Sequence, residues 1–333
     1  MVELPKTYEG PGLVDIQVNG YAGLDFNGDP SEWTGGEFHR VADLLSARGI
    51  VAVLPTFITS ERCAMLDRAK RYRSLVDADG GLERRFPKLH IEGPFISSAD
   101  GPRGAHRQEY CRRPSDMPDF IDRLQDASGG RVGIVTLAPE LPGAEGLILK
   151  LAEAGICSAI GHTQAGTDDI DRAVRAGAKL STHLGNGSHL ELPRLDNYVQ
   201  AQLANDRLSA SFIPDGYHMP FATLKNFIRA KTPARSVLVS DAISAAELPP
   251  GRYDLGGRAV VVRQDGKCMA PDQSCLSGST LSLDRGVVNV ASACGVTFAE
   301  AWAMASTNPA RLVGLDLPEN VTVTVTKAGL QRY

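Results

Sequence analysis

Four short segments of this chain carry residue types that could hold a metal ion and move protons. They are His90-Ile91-Glu92-Gly93-Pro94, Gly161-His162-Thr163, Thr182-His183-Leu184 and Ser240-Asp241-Ala242. Imidazole and carboxylate side chains suit a catalytic divalent ion that keeps one coordination position open for water. A further carboxylate nearby can then carry protons between water and a substrate. The segments therefore predict a metal-dependent hydrolase with Glu92, His162 and His183 as ligands and Asp241 as the acid/base.

Each of these residues, taken singly, also has an ordinary structural explanation. A glutamate that follows a strand is often a solvated loop residue, and a histidine in the same place can be a buried structural imidazole. Asp241 would suit the N-cap of a helix. All four residues, however, stand at the ends of short apolar runs typical of buried strands, and this shared placement favours the metal site.

Such a set of residues needs a scaffold that brings strand ends together. Eight apolar runs predict strands at Leu13–Val18, Ile50–Phe57, Lys88–Glu92, Val132–Leu137, Ile156–Gly161, Lys179–His183, Leu208–Ile213 and Val237–Ser240. Helical patterns lie between most of them, for example at Phe38–Leu45 and Asp168–Ala176, and glycines follow both. Strand and helix repeated eight times is typical of a (β/α)8 TIM barrel, whose catalytic groups stand at the C-terminal ends of the strands. The predicted fold class is therefore α/β.

The pattern changes after the eighth strand. Tyr253–Ala270 contains Gly-Gly and Asp-Gly turn signals, which predict antiparallel strands. Two helical runs follow at Leu281–Ala293 and Phe298–Ser306, and Val321–Val325 predicts a last strand. We therefore expect a barrel over residues 11–250 and 275–315, with a small, reduced β-sandwich subdomain from residues 1–10, 251–274 and 316–333.

Composition limits the function classes. The 333 residues are 43% hydrophobic and 22% charged, which is ordinary for a globular protein. A net charge of -4 gives no electrostatic case for binding nucleic acid or an acidic membrane. The six cysteines are scattered without a C-x-x-C pair, and the first residues lack the apolar core of a secretory signal. We expect a cytoplasmic protein without membrane segments.

The first predicted strand bears on the number of metal ions. Its end, Gln17-Val18-Asn19, places two amides on one face at the barrel mouth. Amides are poor zinc ligands compared with imidazole, so a second ion is not expected. The prediction is one divalent cation, zinc in the first place, although iron, manganese and cobalt accept the same ligands.

Five loop positions are candidates for binding the substrate. His218 and His106 could contact it, although each could equally be an ordinary loop histidine. Asn186 and Gly187 could offer an amide and backbone N–H groups to an acyl oxygen or an anion. Arg194, in the same loop, could bind phosphate in bidentate fashion or could be only a surface charge.

With these residues in place, the sequence resembles the N-acetylglucosamine-6-phosphate deacetylases of the amidohydrolase superfamily. The matching segments occur in the family's order and spacing and include HIEGPFIS with GAH, LAPE, GHT, THLGN, DGYH, LVSDA and LSGST. The resemblance implies a single ion on Glu92, His162 and His183, with Asp241 as acid/base. It also implies sugar-phosphate contacts by His106, Asn186, Gly187 and His218. The family is usually homodimeric, and its phosphate-binding arginine, here Arg194, reaches into the partner's site.

Three departures from the family pattern concern the substrate and the small domain. Gly185 stands where the family usually has an aromatic residue, in a loop that reads Gly185-Asn186-Gly187-Ser188-His189. Pro214 replaces a usual alanine, and the residues before the first strand are about forty fewer than in typical members. The expected reaction is removal of the acetyl group from N-acetylglucosamine 6-phosphate. The alternatives are hydrolysis of another N-acyl sugar or a cyclic amide, and an inactive barrel that binds sugar phosphates.

Overall fold

The computed structural model describes residues 4–273, 275–316 and 319–333. The strands are β1 Thr7–Pro11, β2 Leu13–Val18, β3 Gly20–Tyr21, β4 Leu24–Asp25, β5 Ile50–Ile58, β6 Leu89–Glu92, β7 Val132–Leu137, β8 Cys157–Ile160, β9 Leu180–Ser181, β10 Ser209–Phe212, β11 Ser236–Leu238, β12 Gly251–Leu255, β13 Arg258–Val262, β14 Cys268–Met269, β15 Asn320–Thr326 and β16 Gly329–Arg332. The α-helices are α1 Gly35–Ser46, α2 Arg62–Asp77, α3 Gly80–Arg85, α4 Phe120–Ala127, α5 Ala144–Glu153, α6 Thr167–Ala176, α7 Tyr198–Ala204, α8 Phe221–Lys231, α9 Leu283–Ala293, α10 Phe298–Met304 and α11 Thr307–Leu312.

Eight parallel strands form a nearly closed barrel. Their order is β11-β10-β9-β8-β7-β6-β5-β2. The two ends of this order meet at the mouth, where the Asp241 N–H donates to the Gln17 carbonyl at 2.9 Å. A parallel bridge joins Val18 to Ala242 at the same place. The predicted α/β barrel is confirmed.

Two hydrophobic layers hold the barrel together. The inner layer contains small and β-branched side chains from most of the strands, among them Val14, Ile16, Leu54, Ile134, Ala159, Leu180 and Val237. Helix α11 adds Ala310 to this inner layer. The outer layer lies between the strands and the surrounding helices and contains most of the large buried residues. The chemical residues emerge above this apolar interior, at the mouth of the barrel.

Three of the strands that precede chemical residues end earlier than the sequence predicts. β8 ends at Ile160, β9 at Ser181 and β11 at Leu238, one or two residues before the predicted ends. The residues that follow turn the chain sharply, since His162, His183 and Asp241 have φ of 52°, 29° and 50°. A residue with positive φ cannot continue a pleated ladder, so the strand stops and the side chain changes direction.

The predicted helices form with small shifts of their ends. The run Asp168–Ala176 lies within α6, and Gly177 follows in the left-handed conformation with φ of 117°. The run Leu281–Ala293 becomes α9. The run Phe298–Ser306 is shorter as a helix: α10 ends at Met304 and α11 begins at Thr307. No helix in the described ranges is both long and apolar enough to cross a bilayer.

The described non-barrel strands form three separate antiparallel sheets. A two-stranded sheet contains β3 and β4; of the two larger ones, the first contains β1, β15 and β16, and the second contains β12, β13 and β14. The first packs on the outer layer through Val321, Val323 and Leu330. The second has its own small core with Leu255, Val260 and Ile243. Grouping residues 1–10, 251–274 and 316–333 into one subdomain stays a prediction, and residues 1–3, 274, 317 and 318 lie outside the described ranges.

Candidate metal centre and substrate cavity

The four chemical residues meet at the C-terminal end of the barrel. Glu92 is the last residue of β6, and His162 and His183 follow β8 and β9 by two residues. Asp241 follows β11 by three residues. All four are buried, with at most 9% of each residue exposed. Buried charged groups need partners, and these four find them in one another and in two amides.

The ligand atoms of Glu92, His162 and His183 form a tight triangle. Glu92 Oε1 lies 3.2 Å from His162 Nε2 and 3.0 Å from His183 Nε2. The two Nε2 atoms lie 3.2 Å apart. Ligands about 2.0–2.1 Å from a tetrahedral ion are about 3.3–3.4 Å apart, so the three atoms already stand near the spacing that a zinc-type ion requires.

The second ring nitrogen of His162 supports the same interpretation. Its Nδ1 lies 2.8 Å from the carbonyl oxygen of Pro102. A carbonyl can only accept, so Nδ1 carries the proton and the Nε2 lone pair faces the triangle. The Nδ1 atom of His183 has no hydrogen-bond partner in the described part of the chain. The site therefore fixes the ring of His162 more firmly than that of His183.

His106 stands closer to this triangle than sequence reasoning anticipated. Its Nε2 lies 3.2 Å from His162 Nε2 and 4.0 Å from Glu92 Oε2. Glu92, His106 and His162 form a buried group whose ligand atoms lie within 4.8 Å of one another, and this group is consistent with a divalent metal site. Two triplets thus share Glu92 and His162, one completed by His183 and the other by His106.

The Glu92 carboxylate is held in its charged form. Burial alone raises its pKa, but hydrogen bonds and charge attraction from His162 and His183 outweigh burial and hold the pKa well below its ordinary value. Burial lowers the pKa of His183, but its hydrogen bond to Glu92 reverses the shift and raises it. A cation between these groups would stabilise the same carboxylate, so the electrostatics suit metal binding.

The pKa of Asp241 is shifted in the opposite direction to that of Glu92. Burial raises its pKa to about 6, and the negative charge of Glu92 adds to the shift. The Asn19 amide donates to Asp241 Oδ1 at 2.7 Å, and this hydrogen bond partly opposes the rise in the pKa. A carboxyl group with a pKa close to the working pH can both accept and return a proton. Asp241 therefore has the properties of a general base and acid.

The amides at the end of β2 occupy the place considered for a second metal. Gln17 Nε2 donates to Glu92 Oε1 at 3.0 Å, and Asn19 Nδ2 donates to Asp241. Both side chains are almost completely buried. They therefore present N–H groups to the two carboxylates, which orients those carboxylates.

A cavity of about 580 Å³ opens above these residues. Its lining contains Glu92, His162, His183 and Asp241, together with the predicted substrate residues His106, Asn186, Gly187 and His218. Its size is typical of a pocket for a small molecule. Arg194 is exposed on the surface loop and does not appear among the lining residues of the described chain.

Two loop features shape the wall of the cavity. His218 Nδ1 lies 2.7 Å from Asp215 Oδ2, which orients its ring. Gly187 has φ of 56°, and a Cβ added there would lie 2.6 Å from His162 Nδ1. Only glycine allows the backbone to pass this close to the imidazole.

The antiparallel hairpin of β12 and β13 also borders the cavity, which sequence reasoning missed. Leu255, Arg258 and Val260 belong to the lining. The sequence predicts these strands but places them in a separate subdomain. The short Gly256-Gly257 turn was the available signal, because it returns the chain toward the barrel mouth.

This chain is similar to known proteins over most of its length. No protein-family model matches it. The N-acetylglucosamine-6-phosphate deacetylase of Danio rerio is 34% identical over 317 residues, which cover 92% of this chain and 75% of the relative. The N-acetylgalactosamine-6-phosphate deacetylase of Escherichia coli O157:H7 is 31% identical over 306 residues, covering 92% and 78%.

Solved structures show the same similarity. A mutant N-acetyl-D-glucosamine-6-phosphate deacetylase from Mycobacterium smegmatis, in complex with N-acetyl-D-glucosamine-6-phosphate, superposes with a TM-score of 0.85 at 27% identity. The match covers 97% of this chain and 87% of the other. These similarities confirm the family resemblance that the motifs predict.

Proposed function

Because this chain belongs to the family of N-acetylglucosamine-6-phosphate deacetylases, we propose that it hydrolyses the acetamide of N-acetylglucosamine 6-phosphate. The products are acetate and glucosamine 6-phosphate. The observation that carries this proposal is the triangle of Glu92, His162 and His183, with ligand atoms 3.0–3.2 Å apart, beside Asp241. It lies in a cavity large enough for a phosphorylated sugar.

Glu92, His162 and His183 are the residues that would hold one divalent cation. When bound, the cation supplies Lewis acidity to the amide carbonyl and to a water molecule. Zinc is the first choice, since two imidazoles and a carboxylate form an open catalytic zinc site. His106 lies near enough to contact the same carbonyl oxygen or to complete the ligand set.

Asp241 moves the protons in this proposal. Its carboxylate accepts a proton from the attacking water, and the same group then donates a proton to the nitrogen of the departing amine. The Asn19 amide holds Asp241 Oδ1, so Oδ2 is the oxygen available for this exchange. The raised pKa of Asp241, to about 6, makes the second transfer easier than it would be for an ordinary aspartate.

The sugar phosphate is assigned to the loops around the cavity. His218, Asn186 and the Gly187 backbone line the cavity and offer donors to an anion or a hydroxyl group. The fixed Nδ1 of His218 leaves its Nε2 for the ligand.

The remaining assignment is a homodimer in which Arg194 reaches the partner's cavity. Two large apolar residues flank Arg194 on the same exposed loop, with 103% of Leu190 and 79% of Leu195 exposed. Exposed apolar residues of this size beside an arginine favour contact with a partner. A reducing compartment such as the cytosol suits the free thiols of Cys63 and Cys111.

The second candidate substrate is N-acetylgalactosamine 6-phosphate. The relative from Escherichia coli that is named for this substrate is 31% identical to the chain. The loop Gly185–His189, which borders the sugar, also departs from the family pattern. The two sugars differ only in the configuration of one hydroxyl, so the wall of the cavity decides between them.

Acetate release from a substrate panel tests these proposals. The metal-reconstituted protein is assayed with both 6-phosphates, with unphosphorylated N-acetylglucosamine and with a cyclic amide, and its metal is identified by elemental analysis. We expect the highest kcat/KM with N-acetylglucosamine 6-phosphate. A preference for an unphosphorylated substrate, or no turnover of any substrate by the loaded protein, would contradict the proposal.

The dimer is tested separately. Arg194→Ala should raise KM for the phosphorylated sugar, and Leu190→Asp should shift the protein toward monomer in sedimentation. Arg175→Ala on α6 is the control and should change neither.

A further inference from the structure

Arg258 differs from other arginines near the cavity because its guanidinium is unpaired. It is half-buried at the start of β13 and belongs to the cavity lining. Within the described residues its guanidinium forms neither a hydrogen bond nor an ion pair. A half-buried arginine in a cavity, without a carboxylate partner, is available for an anionic ligand.

The second arginine of the lining is already engaged. Arg103 forms an ion pair with Asp100, and its Nη1 donates to the His106 carbonyl at 2.9 Å. Its charge therefore stabilises the loop before His106 and is compensated locally. Arg258 has no such compensation, which leaves its charge directed at whatever fills the cavity.

The hairpin that carries Arg258 is held by a bond within its own turn and by a bond to Asp25 on β4. The Gly256 N–H donates to Asp25 Oδ2 at 3.2 Å, and the Gly257 N–H donates to Asp254 Oδ1 at 2.6 Å. Leu255, which pairs with Arg258 across the hairpin, is buried in the small core. The position of Arg258 at the cavity is thus fixed by contacts on both sides of the turn.

Polar groups from two loops share the cavity with Arg258. Asn186 and His218 belong to the same lining, so a guanidinium, an amide and an imidazole all border the space that a small anion would enter.

We propose that Arg258 is a specificity-determining residue that binds the phosphate of the substrate from within the same subunit. This inference rests on the proposed function. It means that recognition of the phosphate has a contribution from the hairpin, in addition to the one proposed for the partner's copy of Arg194. The guanidinium supplies a planar pair of N–H donors that matches two phosphate oxygens.

Kinetics with phosphorylated and unphosphorylated substrates test this role. Arg258→Ala should raise KM for N-acetylglucosamine 6-phosphate by about tenfold to a hundredfold, the range of a lost charge-assisted contact. KM for unphosphorylated N-acetylglucosamine and kcat for both sugars should change by less than about threefold. Arg258→Lys should restore part of the loss because it keeps the charge but not the fork.

Arg252→Ala is the matched control. Arg252 lies on β12 of the same hairpin, is exposed and does not line the cavity. It should leave both KM values unchanged. If Arg258→Ala raised KM for the two sugars equally, or for neither, the inference would be wrong.

Direct binding separates this outcome from a failure of the proposed function. Calorimetry with glucosamine 6-phosphate and with glucosamine is performed on the metal-loaded protein and on Arg258→Ala. Weaker binding of the phosphorylated sugar alone supports the inference even if no acetyl substrate is turned over. Equal binding of the phosphorylated sugar by both proteins overturns it, whereas turnover by the unsubstituted enzyme would still support the deacetylase.

Discussion

Replacing Asp241 by asparagine removes the proposed proton carrier with little change in shape. Asparagine has nearly the same volume, and its Oδ1 can still accept the hydrogen bond that Asn19 donates at 2.7 Å. The substitution also removes a buried negative charge beside Glu92. In the unsubstituted protein, the charge of Glu92 disfavours the ionised form of Asp241. We therefore expect Asp241→Asn to fold, to retain the metal ligands and to lose turnover.

The size of the loss follows from the role assigned to the carboxylate. A positioned general acid/base contributes about 10²–10⁴ in rate. That factor corresponds to roughly 3–5 kcal/mol of activation free energy. Asp241 serves both transfers in the proposed reaction, so the loss should lie toward the upper end. At pH 8 nearly all of the unsubstituted enzyme carries the ionised carboxylate, because the pKa is about 6, and the comparison is then not limited by protonation.

The assay is acetate release at pH 8 with metal content measured on the same samples. A pH profile adds a second readout. Since the base acts when ionised, activity of the unsubstituted enzyme should fall as pH decreases through the pKa of Asp241. A bound cation favours the ionised form, so the midpoint should lie at or below about pH 6. This acidic limb should be absent from the residual activity of Asp241→Asn.

Asp168→Asn serves as the control, since Asp168 is an exposed carboxylate in the first turn of α6. It should retain full activity and an unchanged profile. A kcat of Asp241→Asn within about threefold of the unsubstituted enzyme, with full metal content, would refute the assignment. Loss of the metal together with activity would instead make Asp241 a ligand.

Two further substitutions test the surroundings of the site. Burial raises the pKa of Asp15 to about 7 from its ordinary 3.8, so the folded state loses stability as pH rises from about 4 to 7. Asp15→Asn keeps the side-chain oxygen that accepts hydrogen bonds from the backbone. In urea titrations without metal, its free energy of unfolding should rise relative to that of the unsubstituted protein over that pH window, by at most roughly 4 kcal/mol. A constant difference at all pH values would contradict this. Gly187→Ala places a Cβ 2.6 Å from His162 Nδ1 and should weaken metal affinity, whereas Gly257→Ala, also at positive φ but with nothing within 4 Å, should not. Equal metal affinity in both variants would show that the loop moves freely.

The barrel could be predicted because its signals are local. Each strand is an apolar, β-branched run, and each chemical residue follows such a run directly. The hydrolase triangle could be predicted for the same reason, since parallel strand ends meet at one edge of a barrel. The role of Arg258 could not be predicted. It depends on where a hairpin docks, and the contact between Gly256 and Asp25 that fixes it joins residues far apart in the sequence.

His106 shows a different limit. Its motif marks it as a loop histidine near the substrate, but its distance of 3.2 Å from His162 arises from the fold of a loop without regular structure. Spacing along the chain carries no information about that distance. The same holds for Gly187. Glycine is required there because the space beside His162 is too small for a Cβ, and not because of a turn signal.

The backbone conformation at the site explains why the strands end earlier than predicted and how this serves the chemistry. His162, His183 and Asp241 all adopt positive φ, at a cost of about 1–3 kcal/mol each. The backbone of each residue has a compensating contact. The Ser97 N–H donates to the His162 carbonyl at 2.9 Å, the His183 N–H donates to Ser211 Oγ at 2.7 Å, and the Asp241 N–H donates to the Gln17 carbonyl at 2.9 Å.

These turns are what aim the side chains into the mouth. If the strands continued in a regular pleat, alternate residues would point toward the barrel axis or the helices, and three ligand atoms could not converge within 3.2 Å. The early strand ends are therefore part of the metal centre. A cation shared by Glu92, His162 and His183 would offset the strain, so metal should raise the thermal midpoint of unfolding of the native chain. Removal of the metal by a chelator should lower that midpoint, and an unchanged midpoint would mean that the hydrogen bonds alone maintain the site.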